Sequence, residues 1–454
     1  MSESQKEKRL KLAQEIVARA QKAGAPIAEA VVKDGSELSV KVRKGETELV
    51  EEAAPMGAGL RVIIDQRAAV TYTNDTTDAG LDALVRDAIE VAALSQADEY
   101  NTPPDPSALA TEIPTLDLCD TSAQNLDADE AIRRAIEGEK AAEVFDDRIT
   151  NSEGATFGRT LGGSALVTSG GFSGSYDSSF YSMVVNPIAE VEGEKMQVGY
   201  HWDAKRYIGD LADPKSIGEE AARRTLAKLG AQKVDTCEAP IIFDPDTGRA
   251  LLAALVQCLS GSAIYRRTSY LVEAEGETIA NKLVNIVDNP LIPRGPGSRP
   301  FDGEGLPSRE NVIVENGVLK SFLLDTYSAR KLNKESTGNA SRGIGGSPSV
   351  APTNFHLLPG EQTPEEIIKS TKSGLYVTNM MGFGFNPVTG DFSRGAEGFW
   401  IENGEKTKPV GEITISLNFK DLWKRIDAIG NDLVMRTAIA TPTFRVSQMT
   451  IAGS

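Results

Sequence analysis

The sequence has few residues of the kinds that most often carry chemistry. Its 454 residues include only 2 histidines and 3 cysteines, and aromatic residues make up 6%. The cysteines Cys119, Cys237 and Cys258 contain no C-x-x-C pair, and their odd number excludes a fully paired disulfide framework. A reduced, cytoplasmic protein is the expectation. His201 and His356 lie far apart without spaced carboxylate partners, whereas a histidine-based zinc site needs several ligands in tetrahedral array. No apolar run approaches the ~20 residues of a membrane-spanning helix, so no membrane role is expected. The opening MSESQKEKRLKLAQEIVARAQKAGA lacks the apolar centre of a leader peptide. Positive charge is also scarce: 48 Lys and Arg face 65 Asp and Glu, a net charge of -17. That balance argues against a surface that tracks phosphates, and no nucleic-acid partner is expected.

What is present reads as a folded chain. Hydrophobic residues at 40% and charged residues at 25% fit a globular protein long enough for several domains. Leu10, Ala13, Ile16, Val17 and Ala20 share one helical face. Glu37–Arg43 alternates, Lys44-Gly45 turns, and Glu46–Glu52 returns; Gly59–Ile64 and Ala68–Thr73 form a second such pair. Leu81, Leu84, Val85, Ala88, Ile89 and Ala92 mark another helix. The breaker-rich segment from Asn101 to Pro114 reads as a linker. A helix over Asp127–Phe145, a β-rich run over Arg148–Asp210 and a helix over Ile217–Leu229 follow. Beyond Cys237, strands and glycine loops dominate. Asn316-Gly317 and Asn403-Gly404 each suit a two-residue hairpin turn. Thr363-Pro-Glu-Glu366 is a capping box with proline at the first helical position, predicting a short helix that ends near Gly374. The expected fold class is α+β: mixed N-terminal units over 1–113 and 114–234, then a β-rich C-terminal domain over 235–454.

Residue type alone assembles no complete catalytic set. Asp246-Thr247-Gly248 matches one half of an aspartic dyad, but no second D-T-G or D-S-G supplies the other carboxylate. Asp246 and Thr247 precede an apolar helix from Arg249 and fit an N-cap instead. The run SGGFSGSYDSS at Ser169–Ser179 lacks the last glycine of a nucleophile elbow and reads as polar strand and turn. Gly343–Gly346 and Gly295–Gly297 open no helix, which excludes a phosphate cradle. Within TGDFSRGAEGFWIENGE, Thr389–Glu405, the charges Asp391, Arg394, Glu397 and Glu402 read as an ion-paired loop ahead of a hairpin.

This last stretch closely resembles the C-terminal signature of the TldD/PmbA (TldE) family, metallopeptidase-related proteins once described as modulators of DNA gyrase. Other motifs match in order: Asn151-Ser-Glu-Gly154, Tyr265-Arg-Arg-Thr-Ser269, Pro300-Phe-Asp-Gly-Glu-Gly305, Asp325–Leu332, Ser336-Thr-Gly338 and Ile429-Gly-Asn-Asp432. The resemblance spans nearly the whole chain. It implies two branches that pair, one of which carries H-E-x-x-x-H on a helix and binds zinc with a downstream cysteine. Here Ala253 stands at the first histidine, Ala254 at the glutamate and Cys258 at the second histidine, with Thr441 near the cysteine position. Alanine offers zinc no lone pair and cannot act as a general base.

The chain therefore resembles the PmbA/TldE branch. That resemblance implies a non-catalytic subunit without a cofactor of its own, with zinc on a TldD-like partner. The complex would process or degrade unfolded peptides, including microcin precursors and antitoxins, bound as extended strands in a cleft. Asp391, Arg394, Tyr265, Arg266 and Arg330 are the candidates for lining that cleft or the interface. Two alternatives stay open: a homodimeric peptide-binding scaffold, and a metal-independent peptidase using Asp246 or a serine of the Gly/Ser run.

Overall fold

The structure is a computed structural model that describes residues 4–122 and 126–453. The chain opens with the helix Gln5–Lys22, held by a capping box in which the Ser4 hydroxyl accepts from the Glu7 amide and the Glu7 carboxylate accepts from the Ser4 amide. It buries Ala13, Ile16, Val17 and Ala20, the apolar stripe seen in the sequence. The helix lies on an eight-stranded sheet. Three long strands, Ile27–Arg43, Ile149–Thr168 and Ser173–Ala189, run side by side through it. Because the first two pair from Glu29 to Val42, one sheet passes through both N-terminal units.

Period-two alternation decides which side chains meet the helices. Ala28, Ala30 and Val32 pack under Gln5–Lys22 and Asp78–Leu94. Farther along the same strand, Leu38, Val40 and Val42 pack with the residues of Ala128–Glu143 and Pro214–Leu226. Val31 and Leu166 instead meet Phe172 and Phe301, which ties the sheet to the C-terminal part. The turns at Lys44-Gly45 and Asp65-Gln66 have positive φ at both positions (53° and 75°, 50° and 63°), as a type I′ hairpin requires.

The C-terminal part contains a six-stranded sheet in the order Glu405–Asn418, Asp391–Glu402, Ser373–Met381, Cys237–Phe243, Phe444–Ala452, Ile426–Ile429. Glu405–Asn418 also pairs with Phe444–Ala452, so the strands close a ring that leaves few free edges. A five-stranded sheet built around Ile286–Asp288 and Phe355–Leu357 completes this part. The helix Pro245–Leu259 sinks Leu251, Leu252, Leu255 and Leu259 into a core shared with Phe243, Phe355, Trp423 and Phe444. The architecture is α+β.

Three local expectations need correction. The stretch Asp391–Glu402 is one continuous strand rather than a loop leading to a hairpin. Its turn is as expected, with φ of 52° at Asn403 and 83° at Gly404. The helix beginning at Pro364 ends at Lys369, because the chain must already be extended at Ser373 to pair with Glu402. The helix expected from Arg249 starts at Pro245, and Asp244 is its cap: the carboxylate accepts from the Thr247 amide at 2.8 Å. Proline at the first helical position, where its missing N–H costs nothing, sets that earlier start.

Candidate functional site

The four positions singled out on and beside the helix Pro245–Leu259 do not converge on a donor set. Ala253 and Ala254 present methyl groups. The Cys258 thiol is fully buried, points toward the Pro387 carbonyl at 3.9 Å, and is pushed up to about 12 by burial. Facing a carbonyl and belonging to no group of three ligand side chains among the described residues, this thiol alone cannot hold a metal. Thr441 sits over the helix start, its hydroxyl donating to the Pro245 carbonyl at 3.4 Å. These residues do not fit zinc. Among the described residues, no three His, Cys, Asp or Glu side chains lie together at metal-binding spacing. His201 is depressed to about 4 by burial and nearby arginines, and the buried His356 ring nitrogen meets the Asn354 carbonyl at 2.9 Å.

Past Ser260 the chain turns into the short helix Gly261–Tyr265, which delivers Tyr265 and Arg266 to a cleft of about 380 Å³. Tyr265 meets Tyr327 edge-on, with ring centroids 5.8 Å apart, and the Arg266 guanidinium lies 5.6 Å from the Tyr265 ring. Tyr327 is fixed from the far side by donating its hydroxyl to Asp98 at 2.7 Å. Asp325 caps the helix Thr326–Lys331 that carries Tyr327. Arg61, on the N-terminal sheet, lines the same cleft, which is therefore walled by both halves of the molecule.

The cleft also contains a carboxyl group that residue type did not single out. Glu304 is 3% exposed, and its Oε2 accepts from the Thr326 amide at 2.9 Å and the Thr326 hydroxyl at 2.7 Å. Burial first, and the neighbouring Asp302 second, push Glu304 up to about 8. Asp302 is itself buried and accepts from the amides of Glu304, Leu306 and Ala340. Burial thus biases the Glu304–Asp302 pair towards holding a proton, and a protonated carboxyl can donate one hydrogen bond and accept another. The visible signal was the pair of acids alternating with glycines in Asp-Gly-Glu-Gly, residues 302–305. Only the fold shows that both are buried.

Arg330 belongs to the neighbouring wall, donating to the Pro103 carbonyl at 2.7 Å and to Thr102. It holds the linker segment against the C-terminal part. The structure thus places Tyr265 and Arg266 in one cleft with Arg330 beside it, and places Asp391 and Arg394 elsewhere. Asp391 accepts from Thr389 at 2.6 Å and Asn418 at 2.9 Å. Arg394 donates to the Met380 carbonyl at 3.4 Å. The ion-paired loop expected there does not form within the stretch: Glu397 pairs with Lys228, at 3.3 Å. The Asp246 carboxylate lies 3.7 Å from Arg224 and 3.9 Å from Arg436. In the Gly/Ser run, the buried Ser179 hydroxyl donates to the Arg206 carbonyl at 2.6 Å, a structural bond.

Comparison with known proteins places this architecture. Three family models match in succession: PmbA/TldA metallopeptidase domain 1 at residues 28–92, the central domain at 122–229 and the C-terminal domain at 236–453. The metalloprotease PmbA of Escherichia coli O157:H7 is 35% identical over 94% of this chain and 92% of its own length. The PmbA homologue of Haemophilus influenzae is also 35% identical, over 96% of this chain and 94% of its own. A crystal structure from Bacteroides thetaiotaomicron, described as a candidate modulator of DNA gyrase, superposes with a TM-score of 0.92 at 28% identity, covering 99% of this chain and 100% of the other. TldE from Thermococcus kodakarensis shares the fold, with a TM-score of 0.88 at 23% identity over 97% of this chain and 100% of its own. The chain belongs to the PmbA/TldD family of metallopeptidases.

Proposed function

We propose that this chain is a PmbA/TldE-type subunit that binds unfolded peptide and works with a zinc-bearing, TldD-like partner in the cytoplasm. The observation that carries the reading is the character of positions 253, 254, 258 and 441. Two methyl groups, a buried thiol far from ionisation and a hydroxyl bound to the Pro245 carbonyl offer neither a metal site nor a base for activating water. In this reading the chain's own contribution is to hold substrate. Tyr265 and Tyr327 supply flat apolar walls, and Glu304 and Arg61 supply hydrogen-bonding groups for an extended backbone. The catalytic zinc, carried by the partner, would polarise the scissile carbonyl and activate water.

The test is native mass spectrometry of the chain captured from its own cells, with metal analysis of each component. The expected result is a complex with a second, related chain and zinc confined to that chain. A metal-free homo-oligomer would overturn the subunit reading in favour of a homodimeric scaffold. Stoichiometric zinc on this chain alone would overturn the reading of Ala253, Ala254, Cys258 and Thr441. Chelator-resistant hydrolysis by the pure chain would favour a metal-independent peptidase.

A further inference from the structure

A second cavity, of about 530 Å³, lies between the helix Pro214–Leu226 with the residues after it and the C-terminal strands Ser373–Met381, Asp391–Glu402 and Glu405–Asn418. Its wall runs against the charge of the whole molecule. The chain carries a net charge of -17, yet Arg223, Arg224, Lys228 and Lys406 line this cavity against only Glu220 and Asp244. Those carboxylates are committed. Glu220 is shared between Arg223 and Arg224, accepting from the latter at 2.9 Å. Asp244 is 5% exposed, spends Oδ1 on the Thr247 amide and hydroxyl, and is raised to about 6 by burial. Lys228 is neutralised by Glu397 from outside the lining.

Lys406 is different. Its ammonium lies 3.4 Å from the centre of the Tyr376 ring, and among the described residues it makes no ion pair. The ring face holds the charge in place without cancelling it. Tyr200 and Phe399 add apolar wall beside it. A fixed ammonium, aromatic faces and this volume match a small ligand with one carboxylate and an apolar body.

We propose that this cavity binds the C-terminal carboxylate of a short peptide, with Lys406 as the principal anion ligand and the Tyr376 and Phe399 rings against the terminal side chain. The choice of a peptide over another carboxylate rests on the peptidase reading; the preference for a carboxylate does not. Such a site would retain cleavage products or hold the free end of a substrate.

The test is isothermal titration of the full chain with an N-acetylated tripeptide bearing a C-terminal phenylalanine, as the free acid and as its amide, with phenylacetate and inorganic phosphate as further arms. The acid is expected to bind at least about tenfold more tightly than the amide, the scale of one charge-assisted hydrogen bond. Lys406→Gln is expected to remove that preference and Lys406→Arg to keep it. Lys408→Gln, on the same exposed strand, is expected to leave it unchanged. Equal binding of acid and amide, binding of neither, or an unchanged preference in Lys406→Gln overturns the site. Phenylacetate matching the peptide acid overturns the peptide assignment alone, and phosphate matching it overturns the carboxylate assignment.

Discussion

Replacing Glu29 with glutamine is expected to destabilise the protein more than almost any other single isosteric change. Glu29 is 1% exposed and faces two guanidinium groups: Arg61 Nη1 at 3.2 Å and Arg342 Nη1 at 2.7 Å. The side chains of Arg61 and Arg342 are themselves only 6% and 3% exposed. The triad joins two neighbouring strands of the N-terminal sheet to a C-terminal loop, so it spans the interface between the two halves. Removing one partner of a buried pair costs about 3–5 kcal/mol, because the remaining charge stays buried without compensation. Here the glutamine would leave two cations facing each other, which places the expected loss near the upper end, about 5 kcal/mol.

The assay is urea unfolding followed by tryptophan fluorescence and far-ultraviolet circular dichroism. Its internal control is the triple variant Glu29→Met, Arg61→Met, Arg342→Met, which removes all the charge. If uncompensated charge is the cause, the triple variant is more stable than Glu29→Gln. The pH dependence has a definite sign. Burial opposes ionisation of Glu29, but Arg342 and Arg61 together outweigh it and hold the carboxyl below its ordinary 4.5. Its contribution is therefore complete above that value and is lost as pH falls through the lower, folded-state value. The gap between wild type and Glu29→Gln should close in acid. A loss under about 1 kcal/mol, or a triple variant less stable than the single one, would refute the reasoning.

Glu304 titrates in the opposite sense. Raised to about 8, it binds its proton more tightly in the folded state, so its ionisation makes stability fall as pH rises from about 4.5 towards 8. Glu304→Gln should flatten that slope while keeping the acceptor for Thr326, and a slope unchanged in thermal scans across that range would count against the assignment. Gly398→Ala should cost about 3 kcal/mol, since a Cβ there would stand 1.8 Å from the Tyr376 carbonyl and force two paired strands apart. Chemical denaturation with wild-type stability would show that the strands yield without loss.

Local chemistry made several elements legible from sequence. The Thr363 capping box, the positive-φ pairs at Lys44-Gly45, Asn316-Gly317 and Asn403-Gly404, and the apolar stripe of Gln5–Lys22 depend on residues close to one another along the chain. Side chains at fixed sequence spacing satisfy the same backbone groups in any context. Family membership was legible because several short motifs match in the same order along nearly the whole chain. The extent of Asp391–Glu402 was not, because pairing with partners on both sides overrode its glycines.

The chemistry of the clefts was decided by tertiary structure alone. Sequence names Glu304, Asp244, Cys258 and Lys406 as ordinary acids, a thiol and an amine. Folding buries the first three, which shifts each towards its neutral form, and seats the fourth on an aromatic face, where burial lowers its pKa and no ion pair forms among the described residues. Charge state depends on solvation and on neighbours brought from far along the chain, and no local pattern of residues encodes either. What the sequence determined by itself was narrower: methyl groups at 253 and 254 have no lone pair in any fold.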